Sequence, residues 1–243
     1  MKKLTFIAAI FIAVSIMFTG CKKDTPVNPI KIPIQTVVMV QPSLAGAINF
    51  AILAGASITS TNATVINGDL GLCPGTSVGG FPPGILNGTK HVNDPIAVQA
   101  KLDLTAAYND LAGRTSTDIV TLSGNLGGLT LTPGLYKSTS TLSVSSGDLT
   151  FDAKGDANAV FIIQIASSLT TTSGRKVILS GGAVTSNIYW QVGSSATFGT
   201  TSVFKGTVIA LQSITFNTGA TLDGKALARN GSITMIGNTI TKF

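Results

Sequence analysis

A recurring Ser or Thr position is the most informative chemical pattern in the sequence. It directly follows an apolar residue at the start of several short segments, as Thr215 follows Ile214. Because successive side chains of a β-strand point to opposite faces, the hydroxyl side chains would point outward and their apolar neighbours into a core. The six positions are Thr59, Ser143, Thr170, Thr197, Thr215 and Thr234. The turns that follow add the hydroxyls of Thr61, Thr200 and Thr218.

Such a column could bind a solid. A simpler explanation is that Thr is a favourable strand residue, but exposed strands commonly carry Lys, Glu, Asp or Gln, and none of these stands at the six positions. Thr is stiff at χ1, and stacked strands lie about 4.7–4.9 Å apart, close to a repeat of oxygen positions in ice. The column therefore predicts a rigid grid of hydroxyls and methyls that binds an ordered water lattice.

The residues that most enzymatic and metal sites need are scarce. The chain contains no Glu, one His (His91) and two Cys (Cys21 and Cys73). A Cys/His zinc site is therefore excluded, as is a catalytic triad or Cys–His pair that does not use His91. We expect no metal and no cofactor, and we interpret Cys73 as a small buried residue.

A repeat without gaps in the C-terminal half predicts the fold. Residues 214–228 align with residues 196–210 at an offset of 18 residues, and a further step of 19 residues brings Thr215 onto Thr234. Eighteen residues suit three short strands joined by tight turns, and stacked coils of this kind bury a continuous core. The predicted fold class is an all-β solenoid, a parallel β-helix of triangular cross-section, over residues 43–243.

One α-helix is predicted beside the solenoid, over residues 94–112. Asp94 and Pro95 suit its first positions and Gly113 suits its end. Its apolar positions are Ile96, Ala100, Leu104, Ala107 and Leu111. We expect it to cover a strand column that is apolar on both sides, through Ile163, Trp190, Ile209 and Leu227. The Gly- and Pro-rich residues 71–92 would form a capping loop at one end.

The N-terminus is typical of a bacterial lipoprotein signal. Lys2 and Lys3 precede a short apolar segment, and small residues precede Cys21. Residues 1–20 would be the signal peptide, and Cys21 would be acylated, the alternative being ordinary cleavage that leaves Cys21 unmodified. The Pro-rich residues 21–42 would form an extended tether. We expect a secreted protein that a lipid anchor holds at the cell surface or outer membrane.

The formal net charge of +6 does not indicate a nucleic-acid-binding protein. Five of the 16 Lys and Arg residues precede residue 43, and the remainder of the chain is nearly neutral. No Lys/Arg cluster is interleaved with aromatic residues, as nucleic-acid recognition would require. No nucleic-acid partner is expected.

From Ala45 onward the sequence resembles the secreted microbial ice-binding protein family. The segments that carry the resemblance are 49–58, 65–71, 106–112, 131–136, 160–165 and 188–197. The resemblance implies a right-handed, discontinuous β-helix in which an early coil packs between later ones, and a protein that binds ice by one flat face, with antifreeze activity and without enzymatic activity. We expect a monomer. Some members carry Thr-Gly-x-Thr runs on that face; Thr218-Gly-Ala-Thr221 matches and adds Thr221 to the predicted ice-binding residues.

Two alternatives stay open. Many parallel β-helices cleave polysaccharides, which requires clustered carboxylates, bound Ca²⁺ or a basic residue. Asp152 and Asp223, predicted to share one column with Lys205 between them, are candidates, although turn chemistry explains them better. A surface adhesin or passive spacer would equally suit the anchor and the tether.

Overall fold

A computed structural model describes residues 32–243, and short parallel strands form most of it. The predicted signal peptide, Cys21 and the first part of the predicted tether lie outside these residues. Among the residues described, no helix has the length and apolar character needed to cross a membrane.

Within residues 32–243 the strands fall into two groups along the sequence, before and after one α-helix. Before the helix they are β1 (Phe50–Ala54), β2 (Ser57–Thr61), β3 (Val65–Asn67), β4 (Asp69–Leu72), β5 (Ser77–Gly79), β6 (Ile85–Asn87) and β7 (Lys90–Val92). After helix α1 (Pro95–Gly113) they are β8 (Val120–Thr121), β9 (Gly124–Asn125), β10 (Thr130–Leu131), β11 (Gly134–Ser138), β12 (Leu142–Val144), β13 (Leu149–Asp152), β14 (Phe161–Ile165), β15 (Leu169–Thr171), β16 (Val177–Ser180), β17 (Ile188–Val192), β18 (Ala196–Phe198), β19 (Val203–Ala210), β20 (Ile214–Phe216), β21 (Thr221–Ala228), β22 (Ile233–Ile236) and β23 (Thr239–Thr241). Short 3-10 helices span Ala45–Asn49 and Thr185–Asn187.

These strands form the three faces of a parallel β-helix. The helix face has the order β7-β4-β1-β21-β19-β17-β14-β11-β8, and the hydroxyl face has the order β5-β2-β22-β20-β18-β15-β12-β9. The third face contains β6, β3, β23 and the first halves of β21 and β19, followed by β16, β13 and β10. Strands β19 and β21 pass from the third face to the helix face at Gly206 and Gly224. A Cβ on Gly224 would lie 2.0 Å from the Gly206 carbonyl oxygen, so this corner requires glycine.

The coils are not stacked in chain order. Strands β1–β7 form the coils at one end, the chain then passes through α1, and β8 begins at the opposite end. The last coil therefore meets the first, because β22 pairs with β2 and β23 pairs with β3. The first coil lies between the second coil and the last, which is the discontinuous arrangement that the family resemblance implied.

Residues 71–92 form strands rather than a capping loop. Strands β5, β6 and β7 pair with β2, β3 and β4 and form the outermost coil. The sequence prediction was wrong about this segment because each of these strands has only three residues, which is too short for an alternating pattern to be recognised.

The helix covers the helix face, but not through all of the residues predicted. Ala100, Leu104 and Leu111 are buried against a cluster that includes Ile162, Tyr189, Ile209 and Leu227. Ile209 and Leu227 are therefore placed as predicted. Ile96 is 54% exposed, because it stands in the first turn, ahead of the part that lies on the sheet. The helix begins after Asp94, whose side chain accepts a hydrogen bond from the Ala97 amide at 2.8 Å, and this satisfies an N-terminal donor.

Ile163 and Trp190 point into the solenoid and not towards the helix. The Trp190 ring lies between Phe151 and Phe204, at centroid distances of 5.5 and 4.9 Å, and its Nε1 donates to the Lys205 carbonyl at 3.0 Å. The prediction was wrong by one residue, which in a strand moves every side chain to the opposite face. Periodicity could not detect the error because β14 and β17 are apolar on both sides.

Residues 32–42, here called the docked segment, lie against the solenoid and do not extend as a tether. The Gln35 side chain is buried and its Oε1 accepts a hydrogen bond from the Leu135 amide at 2.8 Å. Asp118 Oδ2 accepts the amides of Thr36 and Val37 at 2.5 and 2.9 Å. Proline content predicted an extended chain, but composition does not reveal whether its polar groups find partners.

Candidate functional site

The hydroxyl face holds the predicted Ser and Thr residues in one unbroken line. Each residue is paired with the next across neighbouring strands. The order along the solenoid, here called the Thr rank, is Ser143, Thr170, Thr197, Thr215, Thr234 and Thr59. Asn125 continues the line at one end and Gly79 at the other. Neighbouring members are separated by the interstrand distance of about 4.7–4.9 Å.

A second line of hydroxyls runs beside the first and was missed by the sequence reasoning. It stands two residues before each member of the Thr rank. Its members, here called the Ser rank, are Thr141, Ser168, Ser195, Ser213, Ser232 and Ser57. Backbone hydrogen bonds align them, as in the 3.0 Å bond from the Ala196 amide to the Ser213 carbonyl. The sequence contains this pattern, because each residue of the Ser rank stands two positions before a residue of the Thr rank. Most of these residues directly precede a strand, so a search confined to strand positions did not find them.

The two ranks differ in what their hydroxyls bind. In the Ser rank, Ser57 Oγ donates to Ser232 Oγ at 2.8 Å, and Ser213 Oγ accepts the Ser232 amide at 3.1 Å. The Thr141 and Ser168 hydroxyls lie 3.0 Å apart at the other end of the face. In contrast, the hydroxyls of the five threonines in the Thr rank bond to no other residue in the described part of the chain. The threonines of the Thr rank therefore present free donors and acceptors to solvent, whereas Ser143 Oγ lies 3.4 Å from Ser145 Oγ.

The surface beneath the ranks is rigid. Ala196 and Ile214, and the other residues between the two ranks, point inward and are fully buried. On the other side of the Thr rank, the rings of Phe198 and Phe216 stack at 4.8 Å with an interplanar angle of 28°. Dense packing of this kind has low compressibility, and β-branched Thr has few rotamers. The two ranks form a grid of hydroxyl groups. Its spacing is about 4.8 Å along the solenoid, between neighbouring strands, and about 6.7 Å across it, because the ranks are two residues apart along each strand.

The turn residues line one margin of this grid. Thr200 and Thr218 are exposed in turns at the corner where the hydroxyl face meets the third face, whereas Thr61, predicted in a turn, is the exposed last residue of β2 and pairs with Ile236. Their carbonyls accept hydrogen bonds from the next turn, as in the 3.0 Å bond from the Thr201 amide to Thr218. The corners of successive coils are therefore aligned, and these three hydroxyls stand beside the Thr rank as the sequence predicted.

Thr221 lies apart from the other predicted site residues. It begins β21 and pairs with Val203 and Thr239 on the third face. Ala220, between it and Thr218, is buried, so the Thr-Gly-x-Thr run turns a corner and does not follow one face. Sequence matching could not show this because the run spans two sheets.

The carboxylates considered for polysaccharide cleavage are separated. Asp223 pairs with Lys205, as predicted. Asp152 pairs with Ser180, and the bridge between Lys176 and Val203 brings Ile178 rather than Ser180 beside Lys205, so the prediction was wrong in placing Asp152 in the same column. Strands β13 and β21 both contribute to the third face but belong to different hydrogen-bonded sheets, a break that the sequence does not reveal. The Lys154 side chain bonds Asp152 at 2.7 Å and lowers the pKa of that carboxyl, and Lys205 Nζ lies 3.2 Å from Asp223. Among the described residues, no group of three or more His, Cys, Asp or Glu is arranged to hold a metal ion.

Comparison with known proteins gives one consistent relationship. Residues 52–241 match the family model described as Ice-binding-like. An ice-binding protein of Nostoc sp. (strain HG1) is 45% identical over 82% of this chain and 73% of its own length. One of Flavobacterium frigoris (strain PS1) is 35% identical over 82% of this chain and 75% of its own.

Solved structures show the same similarity. The crystal structure of an ice binding protein from an Antarctic biological consortium is 71% identical and superposes with a TM-score of 0.86, covering 87% of this chain and 95% of that protein. An ice-binding protein from the Antarctic ascomycete Antarctomyces psychrotrophicus is 40% identical with a TM-score of 0.78, covering 83% and 98%.

Proposed function

The chain belongs to the Ice-binding-like family, and from that premise we propose that it is an antifreeze protein that adsorbs to ice through the hydroxyl face. The observation that carries this assignment of the face is the in-register Thr rank, which is flat, uncharged and free to bond outside the protein. Adsorption at this face would give thermal hysteresis and inhibit ice recrystallisation. Thr61 at the end of β2 and the turn residues Thr200 and Thr218 would extend the contact at one margin.

Many weak contacts can give this binding. A methyl or methylene group removed from water contributes about 0.8 kcal/mol, so the five Thr methyls of the rank supply about 4 kcal/mol before losses. The free hydroxyls join the lattice water, and the stiff side chains lose little rotamer entropy, whereas immobilising a Lys side chain costs up to about 2 kcal/mol. Rigidity and the absence of charge therefore both favour a solid partner.

The alternatives receive no comparable support. The family is one of ice-binding proteins and is not known for enzymes, and Asp152 and Asp223 are each engaged by a lysine. Separated and each paired with a lysine, Asp152 and Asp223 do not form the carboxylate pair that glycoside hydrolysis uses. No feature of the described residues favours an adhesin over an ice-binding protein.

Thr215→Tyr tests the assignment of the face. Thr215 lies in the middle of the rank, so a tyrosine there would hold the flat lattice away from its neighbours, while an outward strand position tolerates an aromatic ring. We expect thermal hysteresis and partition into a slowly grown ice hemisphere to fall sharply, with circular dichroism and melting temperature close to those of the wild type. Thr221→Tyr, on the third face, is the matched control and should retain activity. The reverse outcome would place ice on the third face.

We also infer that the mature protein is a monomer anchored to the cell surface or outer membrane by an acylated Cys21. The lysines, apolar segment and small residues before Cys21 support this inference. Cys21→Ser should release the protein from the membrane fraction or leave the signal uncleaved. Wild-type protein found entirely soluble outside the cell would contradict the anchor and leave ice binding untouched.

A further inference from the structure

The docked segment exposes aliphatic side chains that the solenoid does not use. Ile34, Val38 and Val40 are 68%, 86% and 75% exposed. Single exposed aliphatic residues are ordinary, but three within seven residues form a concentrated apolar surface, and such surfaces mark interaction sites.

The backbone beneath these side chains is held in place. Gln35 is buried against Leu135, Met39 packs against the helix-face cluster, and Gln41 Nε2 donates to Asn187 Oδ1 at 2.7 Å. Arg114 also donates a hydrogen bond to the Val40 carbonyl. The three aliphatic side chains therefore project from a fixed ridge.

This ridge lies on the edge of the solenoid that is opposite the hydroxyl face. Leu135 stands at the start of β11 and Asn187 directly before β17, where the chain passes from the third face to the helix face. In a triangular cross-section, the corner between these two faces is opposite the remaining one. A partner bound to the ridge would leave the hydroxyl face pointing away from it.

We propose that the ridge of Ile34, Val38 and Val40 rests on the membrane that anchors the protein and turns the hydroxyl face outward, an inference that rests on the proposed anchor at Cys21. Ile34 is thirteen residues from Cys21, so the chain can span at most about 45 Å between them, which keeps the ridge near the bilayer. Lys22, Lys23 and Lys31 lie between them and complement anionic headgroups. Aliphatic side chains beside basic residues suit the interfacial region of a bilayer.

Vesicle binding by unacylated protein tests the contact apart from the anchor. Residues 21–243 carrying Cys21→Ser would be sedimented with vesicles of phosphatidylethanolamine and phosphatidylglycerol. The triple variant Ile34→Ser, Val38→Ser, Val40→Ser should lower the partition coefficient at least tenfold. The matched control is Ile96→Ser, Val98→Ser, Leu102→Ser, which alters exposed aliphatic residues of α1 and should bind like the parent.

Three results would overturn the proposal: no vesicle binding by the parent, equal binding by both triple variants, or a parent dimer in sedimentation velocity that only the ridge variant dissociates. The last result would identify a second copy of the chain as the occupant. Ice partition in solution should be unchanged in both triple variants, so failure of this proposal is distinct from failure of ice binding.

The acylated protein tests the orientation. Vesicles bearing acylated wild type should adhere to growing ice, and the acylated ridge variant, although equally anchored, should retain fewer vesicles on ice. Equal retention by the two proteins would show that the ridge does not set the direction of the hydroxyl face.

Discussion

Two kinds of hydroxyl stand side by side on one surface, and their difference lies in their partners. The Ser rank bonds to itself along the solenoid, as between Ser57 and Ser232, whereas the hydroxyls of the threonines in the Thr rank bond to no other described residue. The Thr rank was identified from the sequence because its residues are all Ser or Thr and directly follow apolar residues, an alternation that places their side chains outside. The Ser rank lies in the same period of two and was overlooked, whereas its bonds to itself could not be predicted, since they connect residues up to 175 positions apart.

Trp190→Ala should destabilise the fold by about 3–5 kcal/mol, as large-to-small core substitutions do. The loss comes from the core between Phe151 and Phe204, and the Lys205 carbonyl loses its donor. Urea unfolding followed by circular dichroism measures the change. Trp190→Phe retains a ring and should cost clearly less. An unchanged free energy of unfolding in the Ala variant would contradict the buried position of Trp190.

Asp118 should make attachment of the docked segment dependent on pH. Hydrogen bonds from Ser116 and then from the amides of Val37 and Thr36 lower the pKa of Asp118 from 3.8 to about 2. Because the pKa of Asp118 is lower in the folded state, its ionised carboxylate stabilises the folded form at pH values above the pKa of the unfolded chain. This stabilisation is lost as the pH falls through the folded-state pKa. We expect exchange at the Val37 amide to accelerate between about pH 4 and pH 2 relative to the solenoid core.

Asp118→Asn provides the control for this pH dependence. The variant lacks the titrating carboxylate, so exchange at the Val37 amide should already be faster at neutral pH and should lose the acid-dependent step. Identical pH profiles for variant and wild type would mean that Asp118 does not hold the segment.

At the scale of elements, the turns between the hydroxyl face and the third face share one backbone requirement. A left-handed residue occupies each corner in the last coils, with φ of 55° at Thr201, 69° at Gly219 and 59° at Gly237. Thr201 is the β-branched member, and this conformation costs an L-residue about 1–2 kcal/mol. Its exposed side chain bonds only its own neighbour, the Thr200 carbonyl, at 2.7 Å.

Thr201→Gly should therefore stabilise the protein by about 0.5–1 kcal/mol, since relief of strain exceeds the backbone entropy that glycine loses. The reciprocal variant Gly219→Thr should destabilise the protein. The site has room for a Cβ, whose nearest atom would lie 3.6 Å away, so the destabilisation would come from the positive φ alone. Differential scanning calorimetry compares the two. A lower melting temperature for Thr201→Gly would show that the threonine makes a compensating contact.

The elements that the sequence predicted well are those with long patterns. The 18-residue offset predicted the stacked coils, and the capping residues Asp94 and Pro95 marked the start of α1. Strands of two or three residues, such as those of the outermost coil, carry no readable period. The register of doubly buried strands was also inaccessible, since apolar residues on both sides give no preference for one face.

At the scale of the whole molecule, the fold class and the ice-binding function follow from repeats and from the family resemblance, whereas the docked segment does not. Its attachment depends on Gln35 and Asp118 meeting partners 100 and 82 residues away. Contacts of that separation leave no local signature, so composition alone predicted a free tether where the structure has a fixed ridge.

The meeting of the last coil with the first determines how this fold can change in size. Strand β23 lies between β21 and β3, so both of its edges are occupied and no further coil can be appended at the C-terminus. An open repeat array can gain coils at the end of its chain, but here an additional coil would have to enter within the chain. A lineage that needed to cover a larger crystal area would have to duplicate the entire gene segment or insert a coil internally.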